Sequence, residues 1–330
     1  MNIRRAPYPY GVASALVAAG ARVTLMVVLL CGRLVPCSAQ PVHPCFAFLA
    51  NGNVTVTCMG KTTQVTRKGG IEGFAVDDAH ASFAYTTLHL LRHNAPTDVD
   101  GGVYTTVLID LEGGSSRDLV GVWGIVSSCG GLFPMDVPVP EPGPRDLVSG
   151  DEVAFHSYSR FLCSADRKTV VGVAKKDGGL FSGDPPAIRI ADAKTFNHYG
   201  FAISPDGSKV AYRSDRGRLC MFSGSDPARC VEVEATLADA PSVNDSGELL
   251  VAMGTGQECF YTGYSSFSPR HVPAATNESR DECLGVGFWS ADLGSVQIIG
   301  PLGRHPQWIK PETAQLLIKW AQGAASGEPR

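Results

Sequence analysis

The sequence predicts an all-β fold, a six-bladed β-propeller of four-stranded antiparallel blades that is closed by pairing of its N- and C-terminal strands. A unit of two short strands separated by a polar turn recurs at intervals of roughly 40 residues. Most copies are followed by enough residues for two more strands, and an incomplete unit lies at each end of the repeat. Four strands in about 40 residues are typical of a propeller blade.

The repeat is clearest in GFAVDDAHASFAYT, residues 73–86, and in GFAISPDGSKVAYR, residues 200–213. In both segments a short turn of mostly polar residues separates two strands. The first turn residue aligns six copies, which predict six blades: Asp77, Ser127, Ser164, Ser204, Asn244 and Lys310. We expect turn aspartates such as Asp166 and Asp206 to make local hydrogen bonds rather than to act in catalysis.

The segment CFAFLANGNVTVTC, residues 45–58, predicts a hairpin that turns at Asn51-Gly52, because Asn-Gly suits the positive φ angles of a type I′ turn. In that register Cys45 lies opposite Cys58 with Cα atoms about 4.5 Å apart, which suits a disulfide. We expect this hairpin to form the outer half of the closing blade.

The last copy of the repeat, residues 307–318, is expected to supply the first two strands of the same closing blade. Residues 311–325 also fit a helix, with a proline at its first position followed by good helix formers. Their register with the other copies favours the strand. If they form a helix, the ring must close by another join.

Residues 1–39 predict a signal peptide, because Arg4 and Arg5 precede an apolar stretch and small residues precede Gln40. A retained membrane anchor is the alternative, but the apolar stretch at residues 23–31 is shorter than the roughly 20 residues that a spanning helix needs. We therefore expect a periplasmic or secreted protein with no membrane span after cleavage.

The remaining chain is expected to form one domain and a short tail. The propeller should occupy residues 40–322, and residues 323–330, which are small and polar, should form a disordered tail. The formal charge of −4 becomes −8 when the four arginines of residues 1–39 are removed. Such an acidic chain argues against a nucleic-acid partner.

Eight cysteines follow the predicted signal peptide, an even number that suits a set of disulfides. Two pairs bracket predicted hairpins, and a third brackets a polar insertion. The expected pairs are Cys45–Cys58, Cys220–Cys230 and Cys259–Cys283, which leaves Cys129 with Cys163. No Cys-x-x-Cys motif occurs among these eight, so the spacing predicts neither a zinc ribbon nor a thioredoxin-like centre.

The stretch SPDGSKVAYRSDRG, residues 204–217, resembles the TolB-like, WD-repeat-related propellers of bacterial envelopes. Their blades carry a Ser-Pro-Asp-Gly turn followed by a strand ending in an apolar-Ala-aromatic triplet. VLIDLEGG, residues 107–114, is similar to the third strand and following turn of that family. The resemblance covers most of residues 42–320 as an architecture. It implies a protein-interaction platform, a gating domain of a prolyl-oligopeptidase-type peptidase, or a sugar lyase, and selects none of them.

Motifs for common enzyme chemistries are missing from the sequence. It contains no Gly-x-Ser-x-Gly elbow, no His-Glu-x-x-His and no P-loop. The sequence therefore predicts no cofactor and no metal site, and it leaves no room for the α/β-hydrolase domain of a prolyl-oligopeptidase-type peptidase.

The start of each innermost strand is the best place for a site, because these residues converge on one mouth of a propeller channel. Five positions before each turn stand Glu72, Val122, Ser159, Tyr199, Asp239 and His305. With their neighbours they give the predicted ligand-binding set: Glu72, Arg160, His198, Tyr199, Asp239, Arg304 and His305. The alternative is that these residues are polar only because they meet water.

We expect a monomeric binding module that recognises a protein or peptide of the cell envelope at this mouth or at the insertion loops, rather than an enzyme. The alternative function is a metal-assisted lyase or hydrolase that acts on a carbohydrate at the same ring of residues. A structural role in the envelope is a third alternative.

Overall fold

The structure is a computed structural model that describes residues 45–326, apart from 68, 91–101, 121, 123–124, 135–143, 195, 215–216, 225–226, 234–235, 255–282, 291 and 302. The chain divides into residues 1–43 and 44–330, and every described residue belongs to the second unit. The predicted signal peptide, the last four residues and Cys259 therefore lie outside the described residues.

Four-stranded antiparallel sheets account for most of the described chain. Four of them are built from consecutive strands: β4 to β7 (Ile71–Asp77, Ser82–Leu90, Gly102–Asp110, Ser116–Val120), β10 to β13 (Tyr158–Cys163, Val170–Ala174, Leu180–Ser182, Ile188–Ala191), β14 to β17 (Phe196–Ile203, Val210–Ser214, Arg218–Phe222, Arg229–Glu232) and β18 to β21 (Thr236–Val243, Leu249–Gly254, Cys283–Trp289, Gln297–Gly300). The fifth combines the two ends of the domain, in the order β22 (Arg304–Trp308), β1 (Phe46–Ala50), β2 (Asn53–Cys58) and β3 (Lys61–Gln64).

The first strands of the sheets lie side by side and form the inner wall of a propeller. β10 contacts β14, β14 contacts β18, β18 contacts β22, and β22 contacts β4. Apolar side chains of neighbouring sheets fill the space between them, as where Val171 and Leu180 of one sheet join Phe201 and Val210 of the next. The fold is therefore an all-β propeller with four-stranded blades.

A two-stranded sheet follows the first four-stranded sheet in the chain. Its strands are β8 (Ile125–Ser128) and β9 (Gly131–Pro134), and β8 contacts β4. A short hairpin pairs with its outer edge, because the Leu147 N–H donates to the Leu132 carbonyl (2.7 Å) and Arg145 forms a β-bridge with Glu152. The buried carboxylate of Asp146 holds this hairpin by accepting from the Leu132 N–H and the Ser149 hydroxyl.

The predicted closure of the ring is confirmed, because β1 pairs antiparallel with β22. The N-terminal hairpin has the predicted register, with Ala50 opposite Asn53. Its turn residues Asn51 and Gly52 have φ angles of 50° and 68°. A side chain at Gly52 would also place its Cβ 3.0 Å from the Gly70 backbone nitrogen, so both the backbone conformation and the space require glycine.

The prediction of a second C-terminal strand is wrong, because helix α1 (Pro311–Ser326) follows β22. The C-terminus thus supplies one strand of the closing blade and the N-terminus supplies three, so the hairpin forms its second and third strands rather than its outer half. Ala314, Leu317 and Ala321 have helical spacing and are buried against the closing sheet. The helix also continues past residue 323, where a disordered tail was expected to begin.

The junction between the closing blade and its neighbour is held by several polar contacts. The Gln307 amide donates to the Val76 carbonyl (2.6 Å) and accepts from the Val76 N–H (2.9 Å). The Asp78 carboxylate accepts from the Lys310 N–H at the start of α1 (3.1 Å), and burial raises the pKa of that carboxyl. Because Asp78 directly follows β4 of the next sheet, this hydrogen bond ties the start of the helix across the junction.

The turns between first and second strands have the structural role predicted for their aspartates. The Ser204 hydroxyl is fully buried and donates to Asp206 (2.6 Å), while the Lys209 N–H donates back to that hydroxyl (3.0 Å). The same pattern occurs at Ser164 and Asp166. Hydrogen bonds from the Lys168 ammonium and then from Ser164 lower the pKa of Asp166 to about 2.

Three disulfides lie within the described residues: Cys45–Cys58, Cys220–Cys230 and Cys129–Cys163. The first two confirm the hairpin-based predictions, with Cα atoms 4.1 Å apart in both. The third joins the turn after β8 to the end of β10, and so links two neighbouring sheets. The predicted Cys259–Cys283 pair is not tested, because Cys259 lies outside the described residues.

Among the described residues, no helix has the length and apolar character needed to cross a membrane.

Replacing Cys129 and Cys163 together by alanine should lower the free energy of unfolding by about 4 kcal/mol, against about 3 kcal/mol for Cys220 and Cys230, because the stabilisation grows with the loop that is closed. The paired residues are 34 and 10 positions apart. Urea unfolding followed by tryptophan fluorescence measures both losses. A larger loss from the Cys220–Cys230 pair would contradict the prediction.

Gln307→Ala should lower the free energy of unfolding by about 2 kcal/mol, because it leaves the buried N–H and carbonyl of Val76 without their partner. Gln315→Ala is the matched control, since Gln315 is exposed on α1, and it should change stability by less than about 0.5 kcal/mol. Equal losses in the two variants would show that the junction does not depend on these hydrogen bonds.

Candidate channel-mouth site

The innermost strand of every four-stranded sheet has a register shift near its start. The shifts fall between Ile71 and Gly73 in β4, Tyr158 and Arg160 in β10, Phe196 and Phe201 in β14, Ala238 and Ser242 in β18, and, in β22, opposite Ala47 and Leu49. Within these shifts lie Glu72, Ser159, Tyr199, Asp239 and His305. They are five of the six residues predicted by their spacing from the turns, so each predicted position in a four-stranded sheet lies in a bulge. The sixth, Val122, lies outside the strands, before β8.

Bulges change the direction of the side chains at this end of the innermost strands. An extra residue on one strand has no partner on the other, so its side chain is turned away from the regular alternation. Glycine or proline follows the extra residue in three of the sheets, at Gly73, Gly200 and Pro306. Such residues are found at bulges because they weaken or interrupt the ladder. The five innermost strands therefore present irregular backbone at the same rim.

Glu72 and Arg304 lie on neighbouring innermost strands, β4 and β22, and influence each other. Burial raises the pKa of the Glu72 carboxyl, and the positive charge of Arg304 opposes that rise. Both side chains are half-buried. The carboxylate and the guanidinium are 232 positions apart in the sequence. From the sequence alone, they could be brought together only by predicting that the ring closes.

Arg160 has a packing role as well as its place at the rim. Its guanidinium lies over the ring of Phe201 in the next sheet, 5.8 Å from the ring centre, which is a cation–π contact. The neighbouring Ser159 is exposed, and its hydroxyl donates to the Val173 carbonyl (3.2 Å). Arg160 therefore stabilises the contact between two sheets beside the mouth.

For the remaining predicted residues, the structure gives the strand position of three and the backbone conformation of the fourth. His198 and Tyr199 lie in β14 and Asp239 in β18, and the side chains of these three residues lie outside the described part of the structure. His305 is half-buried in β22 and has a φ of 48°, in the left-handed region.

Three segments of the described chain end, and the next ones begin, on the same side as this mouth. An innermost strand runs from the mouth to its turn, so the second strand returns and ends on the mouth side. The described chain stops there at Leu90, Pro134 and Gly254 and resumes at Gly102, Pro144 and Cys283. The intervening residues lie outside the described part.

The opposite end of the sheets has an oriented histidine that the sequence did not single out. His80 Nδ1 lies 2.6 Å from Asp77 Oδ2, and Asp77 is buried whereas His80 is partly exposed. The sequence feature that could have indicated this pair is the turn DDAH, residues 77–80, which differs from the Ser-Pro-Asp-Gly pattern. A shallow groove also lies on that side, between the turn at residues 111–115 and Leu316, Lys319 and Trp320 of α1.

In the part of the chain that the structure describes, no three His, Cys, Asp or Glu side chains come together in a way that would hold a metal ion.

No family model and no curated protein match the chain. Solved structures to which the chain is similar include an acylaminoacyl peptidase of Pyrococcus horikoshii, which is 14% identical with a TM-score of 0.40 over 64% of this chain and 40% of the peptidase. The WD40 propeller domain of Doa1 is 13% identical with a TM-score of 0.41, over 78% and 79% of the two chains.

An oligogalacturonate lyase of Vibrio parahaemolyticus is 11% identical with a TM-score of 0.40, over 63% of this chain and 71% of the lyase. This chain spans less than half the length of the peptidase. At such identities and TM-scores, the likenesses indicate no activity, ligand or partner.

Glu72→Gln should raise the melting temperature at pH 7. The pKa of Glu72 is raised in the folded protein, so its ionised form is disfavoured by folding and glutamine removes that penalty. The difference between variant and wild type should shrink as the pH falls towards 4, where the wild-type carboxyl becomes protonated. Melting curves from pH 4 to 8 measure this. Glu112→Gln, at an exposed position, is the control, and a lower melting temperature for Glu72→Gln at pH 7 would refute the prediction.

Proposed function

We propose that this protein is a propeller-based binding module that recognises a protein or peptide at the channel mouth. One observation carries the proposal: the innermost strand of each four-stranded sheet is bulged at the equivalent position. Bulges are frequent at sheet edges and next to active sites, where they redirect a side chain or end the pairing. Here the irregularity recurs at the mouth end of all five four-stranded sheets, so we infer that it presents side chains at that rim.

The chemistry of the rim fits a peptide chain. Glu72 supplies an acceptor, and Arg304 and His305 supply donors, all on two adjacent innermost strands. A peptide offers both donors and acceptors along its backbone, together with charged groups at its ends and side chains. A rim with both signs of charge therefore suits a peptide better than a uniformly charged polymer.

The ring is proposed to have six blades. The two-stranded sheet β8–β9 occupies the place of a blade after β4–β7, and the hairpin held by Asp146 continues it outward. The Cys129–Cys163 disulfide connects this sheet to β10, and thus supports a continuous inner wall. The Ser-Pro-Asp-Gly turn at residues 204–207 supports the narrower assignment to TolB-like propellers.

The protein is proposed to act as a monomer in the periplasm or outside the cell, after removal of residues 1–39. Three disulfides among the described residues support an oxidising compartment. Closure of the ring within one chain supports the monomer, because β1 and β22 cover each other's edges without a second copy.

Selection of peptides from a random displayed library on the purified protein tests the binding function. Binding of the enriched peptides should be at least tenfold weaker to the triple variant Glu72→Ala, Asp239→Ala, His305→Ala than to the wild type. The matched control is the triple variant His80→Ala, Asp166→Ala, Lys168→Ala at the opposite end of the sheets, which should bind as the wild type does. Failure to enrich any peptide, or equal loss in both variants, would overturn the proposal.

A further inference from the structure

His305 has an unusual backbone conformation for its place in the fold. The other described non-glycine residues with positive φ all lie in turns between strands: Asn51, Met59, Ala81, Cys129 and Arg167. His305 instead lies inside β22, an innermost strand. It also precedes Pro306, and a proline restricts the residue before it to extended conformations. A left-handed histidine here is strained in two ways.

The surrounding contacts hold this conformation in place. Before the bulge, Arg304 pairs with Leu49, and after it, Gln307 pairs with Ala47. Trp308 is anchored to the neighbouring sheet, because its backbone N–H donates to the Ser242 hydroxyl oxygen (3.1 Å) and its indole N–H donates to the Glu248 carbonyl (3.0 Å). Gln307 is bound on the other side to Val76. The strand is thus fixed on both sides of the bulge.

Strain maintained at such a position is typical of residues that contact a ligand. The bulge lies at two adjacent residues with nitrogen-bearing side chains at the start of β22, Arg304 with a guanidinium of five donors and His305 with an imidazole. A carboxylate accepts well from such a pair, with the guanidinium binding two oxygens at once. Glu72 lies within electrostatic reach of Arg304, so part of the positive charge is already balanced. That balance favours a ligand with a single carboxylate over a phosphate. Glu72 can also accept a hydrogen bond from an amide N–H of the ligand next to that carboxylate.

We propose that Arg304 and His305 form a subsite for the C-terminal carboxylate of a bound peptide, and that the fold keeps His305 in a strained conformation to build it. This inference rests on the proposed peptide-binding function. It adds which end of the peptide is recognised and which residues recognise it.

Two fluorescent pools of random hexapeptides test the ligand class, one with free C-terminal carboxylates and one with C-terminal amides. The free-acid pool should bind the wild-type protein at least tenfold more tightly than the amidated pool. Equal binding of the two pools would overturn the carboxylate subsite while leaving peptide binding at the mouth intact. Binding of neither pool would overturn the proposed function itself, and the subsite with it.

Two substitutions at one position test the strain. His305→Gly and His305→Ala remove the same imidazole, but only glycine adopts a positive φ without strain. Both variants should bind the free-acid pool at least tenfold more weakly than the wild type, while His80→Ala should bind normally. His305→Gly should melt about 2–4 °C above His305→Ala. Equal melting temperatures would refute the strain, and unchanged binding would refute the contact.

Discussion

Closure of the ring by pairing β22 with β1 is the contact on which the rest of the structure depends. Without this pairing, β22 would not be held beside β4, and the edge of β1 would be exposed to other chains. The junction is correspondingly rich in contacts, since Gln307 bonds both backbone groups of Val76, and Asp78 in the turn after β4 accepts from the Lys310 N–H just before α1. Glu72 and Arg304 meet only because this pairing places β22 beside β4.

The two ends of the sheets differ in how well their polar groups are satisfied. At the turn end, Ser164 and Ser204 are buried with their hydroxyls fully engaged in local hydrogen bonds, and adjacent turns bond each other, as Ala165 does with Pro205. At the mouth end, a carboxyl is partly desolvated at Glu72 and a histidine is strained at residue 305. A partly desolvated carboxyl and a strained histidine beside well-bonded turns are typical of a scaffold that supports a site.

Local signals in the sequence predicted local structure well. Asn51-Gly52 set the register of the first hairpin, and spacing from the turns located the bulged residues. The helix at Pro311 was missed because its residues fit both a helix and the strand register of the repeat, and packing of Leu317 against the closing sheet decided between them. The conformation of His305 could not be predicted, since it depends on Leu49 and Ser242, far away in the chain.

The arrangement of the closing blade also bears on how the molecule is made. Its three N-terminal strands are synthesised first, whereas their innermost partner, β22, emerges only when nearly the whole domain has left the ribosome. During that interval the edge of β1 is an open template for wrong pairing with other chains. The bond between Cys45 and Cys58 needs only residues 45–58, so it can form early and hold the hairpin until its last strand arrives.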